Sequence, residues 1–117
     1  MTFRLPATEA RYQADIKAGR TKPLTDEPAL RQWRYWKLID NAYPHDKLYS
    51  VHHLLVPKSG FVNLMEATSI EIDEYLDIIF NQLVNNGYDV TKNHYPKQQS
   101  IKNIFHTHLA VIIKEQL

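Results

Sequence analysis

Cysteine is absent from the 117-residue chain. That removes disulfide scaffolds, thiolate nucleophiles, iron–sulfur clusters and zinc ribbons together, and leaves His, Asp and Glu as the side chains available to a metal. Glycine is scarce, at Gly19, Gly60 and Gly87, so six prolines supply most of the punctuation, and neither an internal repeat nor a low-complexity stretch is present. No apolar run approaches the roughly 18 residues of a membrane span, and the opening MTFRLPATEARYQAD lacks the apolar core of a signal peptide. A soluble, cytoplasmic protein with no membrane partner is the expectation. An excess of one charge is missing too: 14 Lys and Arg stand against 13 Asp and Glu, a net charge of +1. No large field is therefore available to drive non-specific binding to nucleic acid or to anionic lipid.

What is present is a globular composition, 44% hydrophobic and 23% charged, far from the low-hydrophobicity, high-charge corner where chains stay disordered. The length supports one domain, residues 1–117, with one modest core that buries about two-thirds of the unfolded surface. Thr8 to Lys17 reads as a short peripheral helix with Thr8 as its N-cap and Gly19 just past its end. Residues 20–32 carry two prolines and clustered charge, and read as a surface loop with at most one helical turn after Pro28. Trp33 to Asn41 and Leu48 to Val56 are rich in aromatic and branched residues and are predicted to be strands that pair antiparallel across the turn chemistry of AYPHDK. Thr68 to Asn86 carries a capping box (Thr68, Glu71) and apolar residues at helical spacing, and Asn86-Gly87 closes it. Tyr88 to Asn93 is read as a strand, residues 94–103 as a polar loop, and Ile104 to Ile113 as the most β-prone segment of the chain. The sum is an α+β domain: a mainly antiparallel sheet of about five strands with one long helix packed on it.

Six histidines occur, and their spacing carries more than their number. Alternate side chains of a strand share a face, so His106 and His108 project together with Ile104 and Ala110, while Phe105, Thr107, Leu109 and Val111 face the other way. His52 and His53 are consecutive and point to opposite faces, so only one of them can join the pair. Imidazole acts near neutral pH both as a nucleophile and as a metal ligand.

The segments HHLLVPK (His52 to Lys58) and IFHTHLAVI (Ile104 to Ile112) resemble the two motifs of the histidine-triad family, in the family's order and with the long helix between them. The resemblance spans Trp33 to Ile113 and implies the HIT-like fold. In that family the middle histidine of the signature attacks the α-phosphate of a nucleotide and becomes covalently nucleotidylated. The matching residue here is His108. His106 matches the first signature histidine, which bonds the backbone and supports its neighbour, and His52 matches the additional histidine of the preceding motif. The residue gripping the ribose hydroxyls corresponds to Asp40 or Asn41. Asn93, Gln99, Ser100 and Asn103 lie where the family places polar groups on the phosphate, Asn103 matching best by its distance from His108. The third signature position departs from the pattern: it is Ala110, where the family's histidine contacts the phosphate and helps the leaving group.

Three functions follow. The first is a nucleotide-binding phosphohydrolase or nucleotidyl transferase weakened by Ala110, which needs no cofactor and takes a nucleotide or nucleotide conjugate as its ligand. The second is a HIT-fold nucleotide-binding or assembly module without catalysis. The third is a zinc site built from His52, His106 and His108. The resemblance also implies a homodimer, to which Trp33, Tyr35 and Trp36 would bring aromatic area unless they line the core or the base pocket.

Overall fold

The computed structural model describes residues 3–92 and 104–112. Among these residues five strands, β1 (Ala29–Gln32), β2 (Trp36–Asp40), β3 (Tyr49–Pro57), β4 (Asp89–Thr91) and β5 (Thr107–Ile112), form one sheet in the order β1-β2-β3-β5-β4. Every neighbouring pair is antiparallel. The helix α1 (Pro6–Lys17) precedes the sheet, and α2 (Ser69–Asp77) connects β3 to β4.

Helix α2 starts where the sequence places it. The Thr68 side chain accepts the Glu71 N–H while the Glu71 carboxylate accepts the Thr68 N–H, so two donors that the first turn would leave unsatisfied are paired. Beyond Asp77 the helix widens into a π-helical turn, Ile78–Leu83, then tightens into a 3₁₀ turn, Val84–Asn86. Gly87 ends it at φ +95°, a left-handed conformation that suits a residue without Cβ. The inward face of this helical stretch brings Ile78, Ile79 and Leu83 against Trp36, Leu38, Leu55, Phe105 and Leu109, the main core. Polar ties fix the contact: Trp36 Nε1 donates to the Glu71 carbonyl at 2.8 Å, and the Tyr75 hydroxyl meets Thr107 Oγ1 at 2.6 Å. Trp36 is fully buried there, and the half-buried Trp33 and Tyr35 pack against the same core.

Several boundaries differ from the sequence reading. Residues 20–32 are not all loop: a 3₁₀ turn forms at Leu24–Asp26, before Pro28 instead of after it, and β1 follows. All four β1 residues are exposed. An edge strand held by its ladder to β2 has no buried face and therefore no apolar alternation to reveal it. Helix α1 begins at Pro6 behind Leu5, and Leu5 makes no side-chain cap. The Thr8 hydroxyl is occupied elsewhere, donating to Asp46. Strand β2 starts three residues later than expected, at Trp36. The loop read at 94–103 lies outside the described residues.

Candidate functional site

Strand parity builds the site. Ile39 and Leu54 lie on the sheet face away from α2, with Val56 and Ile104. His52 and His108 share that face, since His52 stands across from Ala110, and His108 across from Leu54. His53 points to the α2 side, where its Nδ1 meets the Tyr88 hydroxyl at 2.8 Å. Of the consecutive pair, His52 is the one that joins the cluster. Its Nε2 lies 2.6 Å from Nδ1 of His108, with the rings stacked at 4.8 Å between centroids. The His106 ring is 5.2 Å from that of His108, edge to face, and its Nδ1 lies 3.0 Å from the Ile104 carbonyl. That carbonyl only accepts, so His106 carries a proton on Nδ1. All three rings are buried.

The same parity separates Asp40 from Asn41. Asp40 pairs with His53 and falls on the far face with Trp36 and Leu38, exposed. Asn41 turns to the site. Its Oδ1 accepts the Tyr43 N–H at 3.0 Å, which orients the amide so that Nδ2 faces Nδ1 of His52 at 3.4 Å. Asn93, Gln99, Ser100 and Asn103 lie outside the described residues.

A fourth imidazole, missed in the sequence, completes the cluster. His45 lies in the connection between β2 and β3, half-buried, with its ring 4.7 Å from that of His52 and stacked 5.6 Å from that of His108. Its backbone N–H donates to Nδ1 of His52 at 2.9 Å. This connection is held by the segment that precedes the sheet. Arg4 Nε donates to the Tyr43 carbonyl at 2.8 Å, the Leu5 N–H to Asp46 Oδ1 at 2.8 Å, and the Lys47 N–H to the Phe3 carbonyl at 2.9 Å. The Tyr43 hydroxyl donates to Asp15 at 2.7 Å. Helix α1 buries no residue of its own, yet together with Phe3, Arg4 and Leu5 just before it, it holds the loop that carries His45.

Burial keeps the cluster neutral. Loss of hydration pushes His45 down to about 4, His52 to about 3 and His108 to about 2, and each is lowered further by the neighbouring imidazoles or by Arg4. His106 is lowered by burial as well, and the Ile104 carbonyl opposes that shift.

Among the described residues, the group whose ligand atoms converge enough for a metal, all within 4.8 Å, is His45, His52 and His108. The zinc triad read from sequence used His106, which is not part of that group; His45 stands in its place. The donor set fits a metal poorly. Nδ1 of His52 already receives two N–H groups, so a cation on Nε2 would require an imidazolate.

No family model matches the sequence, and no curated protein matches it. Solved structures do resemble the fold. A protein described as "Hit Like Protein" superposes with a TM-score of 0.57 at 15% identity, over 86% of this chain and 96% of that one. A histidine triad protein from Clostridium difficile and a HIT family hydrolase from Clostridium thermocellum each give a TM-score of 0.53 at 16% identity, over 86% of this chain and 88% of theirs. The chain therefore has the HIT-like fold, a five-stranded antiparallel sheet with helices packed on it. No helix among the described residues is long and apolar enough to cross a membrane.

Proposed function

We propose that this chain binds a nucleoside phosphate over the histidine cluster and acts as a slow nucleotide phosphohydrolase or nucleotidyl transferase, with His108 as the nucleophile. The observation that supports it best is the joining of His52, His106 and His108 in one buried cluster, with His52 in hydrogen-bond contact with His108. A nucleophile must be neutral and held in one orientation. Burial provides the first condition, and contact with His52 the second.

In the proposed step the Nε2 lone pair of His108 attacks the α-phosphorus. An N–P bond forms, the bond from phosphorus to the leaving group breaks, and the leaving group departs with its electron pair. Water or an acceptor hydroxyl then displaces His108 and releases the nucleotidyl product. Asn41, which faces the histidines, would take the ribose, a role that Asp40 on the opposite face supports less well. With Ala110 at the third signature position, no imidazole two residues beyond His108 meets the leaving group, and the rate is low for want of that donor.

Ala110 also favours a second reading, a binding module that holds the nucleotide without turning it over. Incubation with a nucleoside phosphoramidate followed by mass analysis separates the two. The enzyme reading predicts a nucleotidyl adduct on His108. Tight binding with no adduct and no turnover would leave the module.

A further inference from the structure

The proposed attack needs a lone pair on Nε2 of His108, and the hydrogen bonds around the cluster decide where the protons are. A backbone N–H can only donate, so the His45 amide bond makes Nδ1 of His52 an acceptor. The Asn41 side chain says the same independently: its Oδ1 is fixed on the Tyr43 N–H, so Nδ2 is the atom facing Nδ1 of His52. A neutral His52 with an unprotonated Nδ1 carries its proton on Nε2. That proton is then donated to Nδ1 of His108 across 2.6 Å. A neutral His108 whose Nδ1 accepts carries its own proton on Nε2, the atom that would have to attack.

We infer that Asn41 and the His45 backbone are positioning residues that lock the His52–His108 pair in a tautomer with Nε2–H on His108, so that the resting site offers a phosphate a donor and not a nucleophile. Attack requires the 41–48 connection to release Nδ1 of His52. The proton balance is then closed: the Nε2 proton of His108 leaves to solvent, the Nε2 proton of His52 passes to Nδ1 of His108, and solvent returns one proton to Nδ1 of His52. No group changes its net charge. Access demands the same movement, because His108 is 6% exposed and the His45 ring is stacked on it.

The importance of this lock for rate rests on the proposed function, but the lock itself is a property of the folded protein and is read without any substrate. Long-range proton–nitrogen correlation spectra of the whole ¹⁵N-labelled chain near neutral pH report which nitrogen of each ring carries the proton. Nε2–H on both His52 and His108 is expected, and Nδ1–H on His108 in the wild type would overturn the inference. Asn41→Asp replaces the donor facing His52 with a carboxylate oxygen, an acceptor of nearly the same shape, and is expected to move the proton to Nδ1 of both rings at the expense of the His45 N–H bond, whose amide proton shifts as that bond is lost. Asn41→Ala, which keeps the His45 amide bond, should leave the wild-type pattern. A folded Asn41→Asp chain with unchanged tautomers would remove Asn41 from the lock, and the wild-type spectrum stands as a test even if the variant does not fold.

Activity discriminates the two proposals. Inverting the tautomer should raise nucleotidyl transfer by about tenfold or more, in the range of effects of positioned acid–base groups. Inversion without any transfer at saturating nucleotide would overturn the enzyme reading and leave the lock intact. Transfer by a wild type whose resting His108 carries Nδ1–H would do the reverse.

Discussion

Lowering the pH from about 7 to about 4 is expected to destabilise the protein by about 7 kcal/mol, comparable to the whole stability of a small domain. The cause is the buried imidazoles. Above the ordinary histidine value of 6.5 the rings are neutral in both folded and unfolded chains, and their contribution does not change with pH. As the pH falls, the unfolded chain takes up protons that the folded one refuses, because His52 and His108 are held at about 3 and about 2. The unfolded state then binds more protons, so stability falls with pH. Each refusing ring contributes about 1.4 kcal/mol per pH unit. His45, held at about 4 and only half-buried, adds a smaller share over the same window. The hydrogen bonds leave no easy alternative, since protonating either His52 or His108 breaks a bond within the cluster. Asp15, Asp46, Glu71 and Asp77 are held below their ordinary values of 3.8 for Asp and 4.5 for Glu, so their stabilising contribution is intact above about pH 5 and begins to be lost only at the bottom of this range. Urea midpoints measured at intervals across this range should fall steadily, and the His52→Gln variant should show a slope shallower by about one proton. A flat profile would mean that the rings are hydrated.

Removal of His108 is expected to have the largest effect on chemistry. His108→Ala should lower nucleotidyl transfer by at least about a thousandfold, since no covalent intermediate can form, whereas His106→Ala should leave a measurable rate. Restoring the third imidazole is the complementary change. Ala110 is 1% exposed and stands directly across from His52, so Ala110→His alone overfills the site at a cost of about 1–3 kcal/mol. Coupling it to His45→Ala removes the ring stacked on His108 but keeps the backbone N–H, and so takes bulk out of the same cluster. The double variant is expected to be faster than wild type by roughly ten to a thousandfold, the range seen for single positioned donors. Phosphoramidate turnover checks both changes, with thermal melts as the control for folding. An unchanged rate in folded His108→Ala would remove His108 as the nucleophile.

Much of the fold is legible because burial writes itself into parity. His52 and His108 share a face with Ile39 and Leu54, and the alternation that predicts a shared face for His106 and His108 also puts Asp40 and Asn41 on opposite faces. Counting from Trp36 and Leu38, Asp40 falls on the helix side. The capping box of α2 is equally plain, because its two reciprocal bonds need only residues three apart. Strand β1 is not legible, since an exposed edge strand buries nothing. Nor is His45: Pro44, His45 and Asp46 read as turn residues, and the ring reaches the site only because α1 holds the loop through Asp46 and Tyr43. Those bonds join residues about thirty to forty positions apart, a separation that local pattern does not encode.

Titration of the full chain with nucleoside 5′-monophosphates, followed by residue-level NMR, tests the account at its centre. If a nucleotide phosphate seats on the histidine cluster, shifts appear first at His108, His106 and Asn41, and the ring nitrogens of His108 move with them. Shifts confined to α1 or to the exposed outer side of α2, with the histidine rings unmoved at saturating nucleotide, would contradict it.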